Sequence, residues 1–392
     1  MATRPMTFLG SRLTAHSPRT QTVVNPATLV RSSLPRSAVL GGLLQQRGLR
    51  ITAASDKMGE KGVSVPHLER TAGEPREKSL IPVVVQRIDC VNDQTRLFRL
   101  AIPQSAQPVK FRPGQWLDVY CPGIAKAGGF TLTSSPSKAV PRSGSGIGDR
   151  EDGRGYLELA VQRSPGNPPA AWLWQDHEND NGDNKSKSPS SSVIGQEIKV
   201  RIGGSFVWPP PGIDTTGLKK VVFVAGGVGV NPLMSMLSYL AEEGRGREQH
   251  SFQVEFFYSV RDPSAAGGRG DGERRAEEIL FLERIVGIFE KGEVQGRLRL
   301  FLTGSQVSAN ADISRGELES ASLGTRIPFT GRRVAVDDIV SVLTDQDEAL
   351  RRDTAVIYIC GVPGMTDEFV GRLTDPDGIG MPRNRVLCEK WW

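Results

Sequence analysis

The run Val221-Val222-Phe223-Val224-Ala225-Gly226-Gly227-Val228-Gly229-Val230-Asn231-Pro232-Leu233 has the residue types and spacing to hold a diphosphate. A strand that turns straight into a helix leaves free backbone N–H groups and the positive end of the helix dipole at the turn. Only glycines let a pyrophosphate approach them closely. The spacing is Gly-Gly-x-Gly rather than G-x-G-x-x-G, so the simple dinucleotide fingerprint is not met. On the motif alone, a glycine turn without a ligand stands beside the diphosphate reading. A second run, Cys360-Gly361-Val362-Pro363-Gly364-Met365, puts a thiol and a glycine at the end of another apolar stretch. It faces the glycine loop if both stretches are neighbouring strands of one parallel sheet.

The elements that must position these residues are legible around them. A continuous β-branched run suits a fully buried parallel strand, and Leu233, Met236, Leu237 and Leu240 recur at helical spacing. Asn231 stands where an N-cap belongs and Pro232 where a first helical residue is tolerated. Residues 221–241 carry no charge over a length that spans a bilayer, but the glycine loop and Asn-Pro pair would break such a helix, so no membrane span is expected. Beyond this stretch come Val254–Tyr258, a helix over 274–290, Leu298–Leu302 and Val356–Gly361. Alternating strands and helices predict an α/β parallel-sheet domain over 214–392. Ahead of it, short β runs (Val83–Val85, Leu97–Leu100, Trp116–Tyr120, Leu157–Val161, Ile198–Ile202) separated by Pro and Gly turns predict an antiparallel β-barrel over 78–213. Phe111-Arg112-Pro113-Gly114-Gln115-Trp116 reads as a turn into a strand, with Trp116 as an inward anchor. Residues 137–155, 175–192 and 262–276 read as surface insertions, and 56–77 as a linker.

The net charge of +5 comes from the first 55 residues, which hold seven arginines and no acid; the remainder carries −2. A near-neutral body without basic–aromatic runs gives no reason to invoke nucleic acid. The leading segment, rich in Arg, Ser and Thr, has the composition of a mitochondrial transit peptide, and Arg47-Gly48-Leu49-Arg50-Ile51-Thr52 resembles a matrix-processing pattern. A basic arm that stays attached is the alternative. Cys90, Cys121, Cys360 and Cys388 are too few and too far apart for a disulfide framework or zinc site and suit a reducing matrix; the four histidines form no metal-ligand pair. No metal is expected.

Five pieces in order, F-x-P-G-Q-aromatic, a Gly129-Phe130-Thr131-Leu132-Thr133-Ser134 loop, G-G-x-G-V-x-P, C-G-x-x-x-M and a terminal Glu389-Lys390-Trp391-Trp392, resemble the ferredoxin reductase family over residues 80–392. The resemblance implies a flavin-type barrel followed by an NAD-binding domain, with hydride passing from nicotinamide to FAD or FMN and electrons to an unidentified acceptor. It implies that Gly226, Gly227, Val228, Gly229, Val230 and Asn231 contact the dinucleotide and that Gly361 lets the nicotinamide lie against the strand end. It places Cys360 near the hydride-donating carbon, Thr131 at the flavin ring nitrogen and Glu389 near that locus. Phe130, Leu132, Thr133 and Ser134 form the flavin loop, and Trp391 or Trp392 stacks on the ring or else closes the core between domains. The sequence departs from the family at Gly128, where an Arg pairs the flavin phosphate, and at Pro168-Pro169-Ala170-Ala171, where a Ser or Thr opens a helix. Lys126 and Arg163 are the substitute cations, beside the plain reading of both as solvated side chains. Thr303-Gly304-Ser305 lacks the guanidinium of members selecting NADP, which favours NAD, while Arg261 keeps NADP open. A second class stays open: a dinucleotide-binding sensor or scaffold that has lost flavin.

Overall fold

Two sheets organise the chain. The computed structural model describes residues 65–104, 107–140, 154–175, 193–245, 250–266, 274–304, 315–344 and 352–390. The predicted transit peptide, the interiors of the three insertions, Ser305, Trp391 and Trp392 lie outside the described residues.

The first sheet is antiparallel, built from β1 (Ile81–Asn92), β2 (Thr95–Ala101), β3 (Trp116–Tyr120), β4 (Gly128–Thr131), β5 (Tyr156–Gln162) and β6 (Glu197–Gly203) in the order β4-β3-β6-β1-β2-β5. A bridge from Leu132 to Leu159 brings its two edge strands together, so the sheet closes as the expected barrel. Phe98, Leu100, Leu117, Val119, Leu157 and Leu159 fill the inside. Because side chains alternate across a strand, Leu117 and Val119 take the core and Trp116 goes to the other face. Trp116 is buried there beneath the incoming chain, edge-on to His67 at 4.8 Å and under the Arg76 guanidinium, so it is not the inward anchor the turn suggested.

Residues 65–77, read as linker, are thus part of this domain. They form a short α1 (His67–Arg70) and bridge β6 at Arg76 to Gly203. The signal for this was the Asp in Trp116-Leu117-Asp118-Val119-Tyr120, a charge in a strand whose face must be covered by something basic.

The second sheet has the order β10-β11-β9-β8-β7-β12-β13. Strands β7 (Lys220–Gly226), β8 (Gln253–Arg261), β9 (Gly296–Thr303), β12 (Ala355–Cys360) and β13 (Val386–Glu389) run parallel, and the antiparallel hairpin β10 (Arg315–Ser320) and β11 (Thr325–Thr330) extends one edge. Helices α3 (Val230–Gly244) and α4 (Leu282–Glu290) serve one face, and α5 (Val336–Leu343) and α6 (Pro363–Thr374) the other. Val221, Phe223 and Ala225 pack with the first pair, Val222 and Val224 with the second, which explains the continuous apolar run of β7. The helix predicted over 274–290 is shorter: Phe281 takes a left-handed conformation at φ 61°, so α4 begins at Leu282 after a separate turn at Ala276–Glu278. The short α2 (Pro168–Leu173) belongs to the barrel.

Candidate functional site

Strand β7 pairs with β8 on one side and β12 on the other, while the chain leaves β7 through α3 toward β8. The crevice between the carboxyl ends of β7 and β12 is therefore the switch point of the sheet, where ligands of such sheets bind. The glycines make it. A Cβ on Gly229 would sit 2.1 Å from the Cys360 carbonyl oxygen, and one on Gly361 3.1 Å from Gly226 Cα and 2.3 Å from Met365 Cε. These two let the loop backbone lie against β12. Gly227, at φ +55°, has nothing within 4 Å of its Cβ position, so the loop's outer side is open to a diphosphate. Val228 and Val362, 38 % and 62 % exposed, are apolar residues left uncovered at the two lips. The residues present fit a dinucleotide.

Register brings two of the three expected redox-site residues together. Cys360 lies beside Ala225 of β7 and beside Glu389 of β13, so Ala225, Cys360 and Glu389 form a row on one face at the carboxyl ends of three strands. Cys360 has no exposed surface and Glu389 is buried. Thr131 belongs to the other sheet, at the end of β4 opposite Trp116, and is also buried.

Asn231 does not cap α3, which starts at Val230 after Gly229. Its Nδ2 instead donates to the Ala160 carbonyl of β5 at 3.1 Å. That oxygen can only accept, which fixes the amide orientation and leaves Oδ1 buried with no donor among the described residues. Ser235 of the same helix donates to the Ser134 carbonyl at 2.7 Å, and Ser135 to Glu242 at 2.8 Å, so α3 grips the segment that follows Thr131. Thr133 and Ser134, expected on a flavin, spend their hydroxyls on protein: Thr133 donates to Glu158 Oε1 at 2.9 Å and Ser134 accepts the Glu158 N–H at 3.1 Å. Burial alone would raise the Glu158 carboxyl, but Arg284 and Thr133 outweigh it and hold it below the usual carboxylate range.

The phosphate side of the expected flavin site is altered. A Cβ on Gly128 would lie 2.6 Å from Phe130 Cε2 and 2.8 Å from Pro169 Cβ. The first turn of α2, capped by Asn167 Oδ1 accepting the Ala170 N–H at 3.3 Å, closes onto β4 where the family's Arg would project, and Phe130 is packed into the barrel core. On the other face, a Cβ on Gly129 would enter the His67 ring. His67 Nε2 lies 2.9 Å from Asp118 Oδ1, and Arg76 and Arg201 share Oδ2 at 3.1 and 2.6 Å. Burial pushes the fully buried Asp118 carboxyl up, but His67, Arg201 and Arg76 together hold it down. Lys126 is exposed on the turn before β4, whereas Arg163 reaches the Trp174 ring. At the far lip of the nucleotide site, Arg261 of β8 is in register with Thr303 of β9, so a guanidinium does stand beside Thr303-Gly304. Sequence order hid this, because the two are 42 residues apart. Among the described residues no group of His, Cys, Asp and Glu is arranged to hold a metal, and no helix is long and apolar enough to cross a membrane.

Comparison with known proteins agrees with this architecture. The chain is 31 % identical over 333 residues to oxidoreductase NAD-binding domain-containing protein 1 of Xenopus laevis, covering 83 % of this chain and 84 % of the relative. The protein of that name from Homo sapiens is 25 % identical over 83 % of this chain and 84 % of its own. Among solved structures, the CS-b5R domains of human Ncb5or in the NAD+ form superpose with a TM-score of 0.50 at 14 % identity, covering 80 % of this chain and 70 % of that one, which is a likeness of fold. No protein-family model matches the chain.

Proposed function

This chain belongs to the oxidoreductase NAD-binding domain-containing protein 1 family, and we propose that it is an NAD(P)H-dependent oxidoreductase of the ferredoxin reductase type. The observation that carries the reading is the approach of Gly226 to Gly361 across the β7–β12 crevice, with Cys360 and Glu389 in one row behind it. Nicotinamide and flavin supply the redox chemistry, hydride donation and onward electron transfer to a further acceptor. The protein's part is positioning. The Gly226–Asn231 loop and the amino end of α3 receive the diphosphate, and Gly361 lets the loop backbone lie close against the strand end. Buried Cys360 puts a polarisable sulfur beneath that strand end. Asn231, Ser235 and Arg284 hold the nucleotide domain on the barrel, keeping the crevice narrow and water out of its base. We also propose that residues 1–55 direct the chain to the mitochondrial matrix, on the strength of their seven arginines without an acid; a full chain that stays cytosolic in imaged cells would end that reading.

A second reading has its own observation, the closure of Pro169 over Gly128. In it the chain is an NAD-binding sensor or scaffold without flavin. One experiment separates them: the visible spectrum of the purified chain before and after anaerobic NADH. A flavin band that bleaches supports the reductase. A colourless chain that binds NADH and takes up no added FAD or FMN supports the sensor.

A further inference from the structure

The segment that leaves β4 is fastened to a single residue of β5. Thr133 donates its hydroxyl to Glu158 Oε1 and its N–H to the Glu158 carbonyl, both at 2.9 Å, and Ser134 Oγ accepts the Glu158 N–H at 3.1 Å. Backbone and side chain of Glu158 thus hold two consecutive loop residues. Thr131, expected at the flavin ring nitrogen, lies two residues back along the same chain, so a displacement of Glu158 is passed to it. What decides where Glu158 sits is its charged partner, because a buried carboxylate is costly unless paired. That partner belongs to the other domain: Arg284 of α4 places one N–H on each carboxylate oxygen.

Arg284 is aimed by a strained turn. Among the described residues, Phe281 alone apart from glycines has a positive φ, 61°, and it is buried. A bulky residue keeps that conformation only where its surroundings over-determine it, and such outliers gather at functional sites. The Arg284 guanidinium lies 4.8 Å from the centroid of the Phe281 ring, so the residue that bends the chain also supports the fork. The turn is tied to both domains. Tyr258 of β8 donates its hydroxyl to the Leu280 carbonyl at 3.2 Å, and Asn92 of β1 donates to the Glu278 carbonyl at 2.8 Å. We propose that Glu158 is a positioning residue for the flavin loop, acting through Thr133, and that Arg284 sets it from the nucleotide domain. The consequence for catalysis rests on the flavin reading: Thr131 is in place only while α4 is docked on the barrel.

The test uses the full chain and two readouts, of which the first needs no cofactor. Hydrogen exchange of the amides of residues 131–135 is compared in the native chain, Thr133→Val, Thr133→Ser, Arg284→Lys and the double variant Thr133→Val/Arg284→Lys. Thr133→Val and Arg284→Lys are each expected to speed exchange in the loop by at least about tenfold while the amides of β7 keep their native rate, which shows that each variant is folded. Thr133→Ser, which keeps the hydroxyl, should stay near native. Both substitutions break one chain of contacts, so the double variant should exceed the faster single by less than about twofold. The second readout is anaerobic flavin reduction by NADH. Thr133→Val and Arg284→Lys should each slow it by about tenfold at saturating NADH with KM changed less than about twofold. Native exchange in both single variants, or increments that multiply in the double one, overturns the proposal. Reduction at the native rate in a loop that exchanges faster overturns the role in catalysis. Should the chain bind no flavin while exchange still answers to Arg284, the flavin reading falls and the positioning of the loop by Glu158 stands.

Discussion

Arg284 of α4 donates to both carboxylate oxygens of Glu158 in β5, at 2.7 and 3.2 Å, across 126 residues of sequence. This fork joins the nucleotide domain to the barrel strand that also carries the Thr133 contact. Removing Arg284 leaves the buried Glu158 with Thr133 and its cross-strand neighbour Arg99. Breaking a fully buried pair costs about 3–5 kcal/mol, but the Arg284 side chain is 40 % exposed, so solvent screening reduces this to about 2 kcal/mol for Arg284→Ala. Urea denaturation checks it; a loss below about 0.5 kcal/mol would make the fork ornamental.

The same pair gives a pH dependence. The folded Glu158 carboxyl titrates below its unfolded value, so its contribution is complete above about pH 4.3 and is lost as pH falls through the folded value. Asp118 acts in the same direction. Stability of the native chain should therefore hold from neutrality to about pH 4.3 as far as these two groups are concerned, then fall. In Arg284→Ala, which loses the main cause of the lowered value, Glu158 should no longer contribute to that decline, so the acid-side loss should be smaller. A variant whose pH profile parallels the native one would refute the assignment.

In the nucleotide crevice, Gly226→Val is expected to weaken NADH by at least about tenfold while flavin affinity stays put, because the added atoms meet Met365 and Gly361. Gly229→Ala should be the more damaging to the fold, since the Cys360 carbonyl 2.1 Å away is backbone and cannot swing aside. We expect about 2–4 kcal/mol lost there, read from thermal or urea unfolding. Unaltered NADH affinity in Gly226→Val would remove the loop from the site.

Cys360→Ala separates chemistry from binding. Anaerobic stopped-flow should show flavin reduction slowed by about tenfold with NADH affinity changed less than about twofold. Equal rates in the two proteins would leave Cys360 as a core residue of β12 and nothing more.

Arg261, in register with Thr303 at the carboxyl end of β9, is the candidate partner of a 2′-phosphate. NADH is the expected reductant, and Arg261→Ala should leave its KM unchanged while weakening NADPH by about tenfold. NADPH used equally well by both proteins would show that Arg261 does not reach the ribose.

The parts of this fold that could be read in advance are those whose signals are local. The β7 run, its glycines and the α3 periodicity lie within 20 residues of one another, and β12 with Cys360-Gly361 repeats the pattern. Phe281 shows the limit of periodicity: its neighbours read as one helix, but a single left-handed residue divides them. Asn231 had the residue type of a cap, and tertiary contact gave it a different partner in Ala160. Glu158 and Arg284 could not be matched at all, because either could have been a solvated charge. The hairpin β10–β11 went unread because only Leu318, Ile327 and Phe329 are buried apolar residues in it.

His67 and Arg76 reach Asp118 from a stretch that carries no periodicity, yet Asp118 has no exposed surface and depends on both of them for partners. If residues 1–55 are removed as a leader, this sets a downstream limit on the cut. A protease that trims the arginine-rich leader near residue 55 leaves the fastening intact. One that cuts past His67 removes one partner of Asp118, and one that cuts past Arg76 leaves that buried carboxylate beside Arg201 alone, so the permissible cut sites end before His67, ahead of the barrel's first strand.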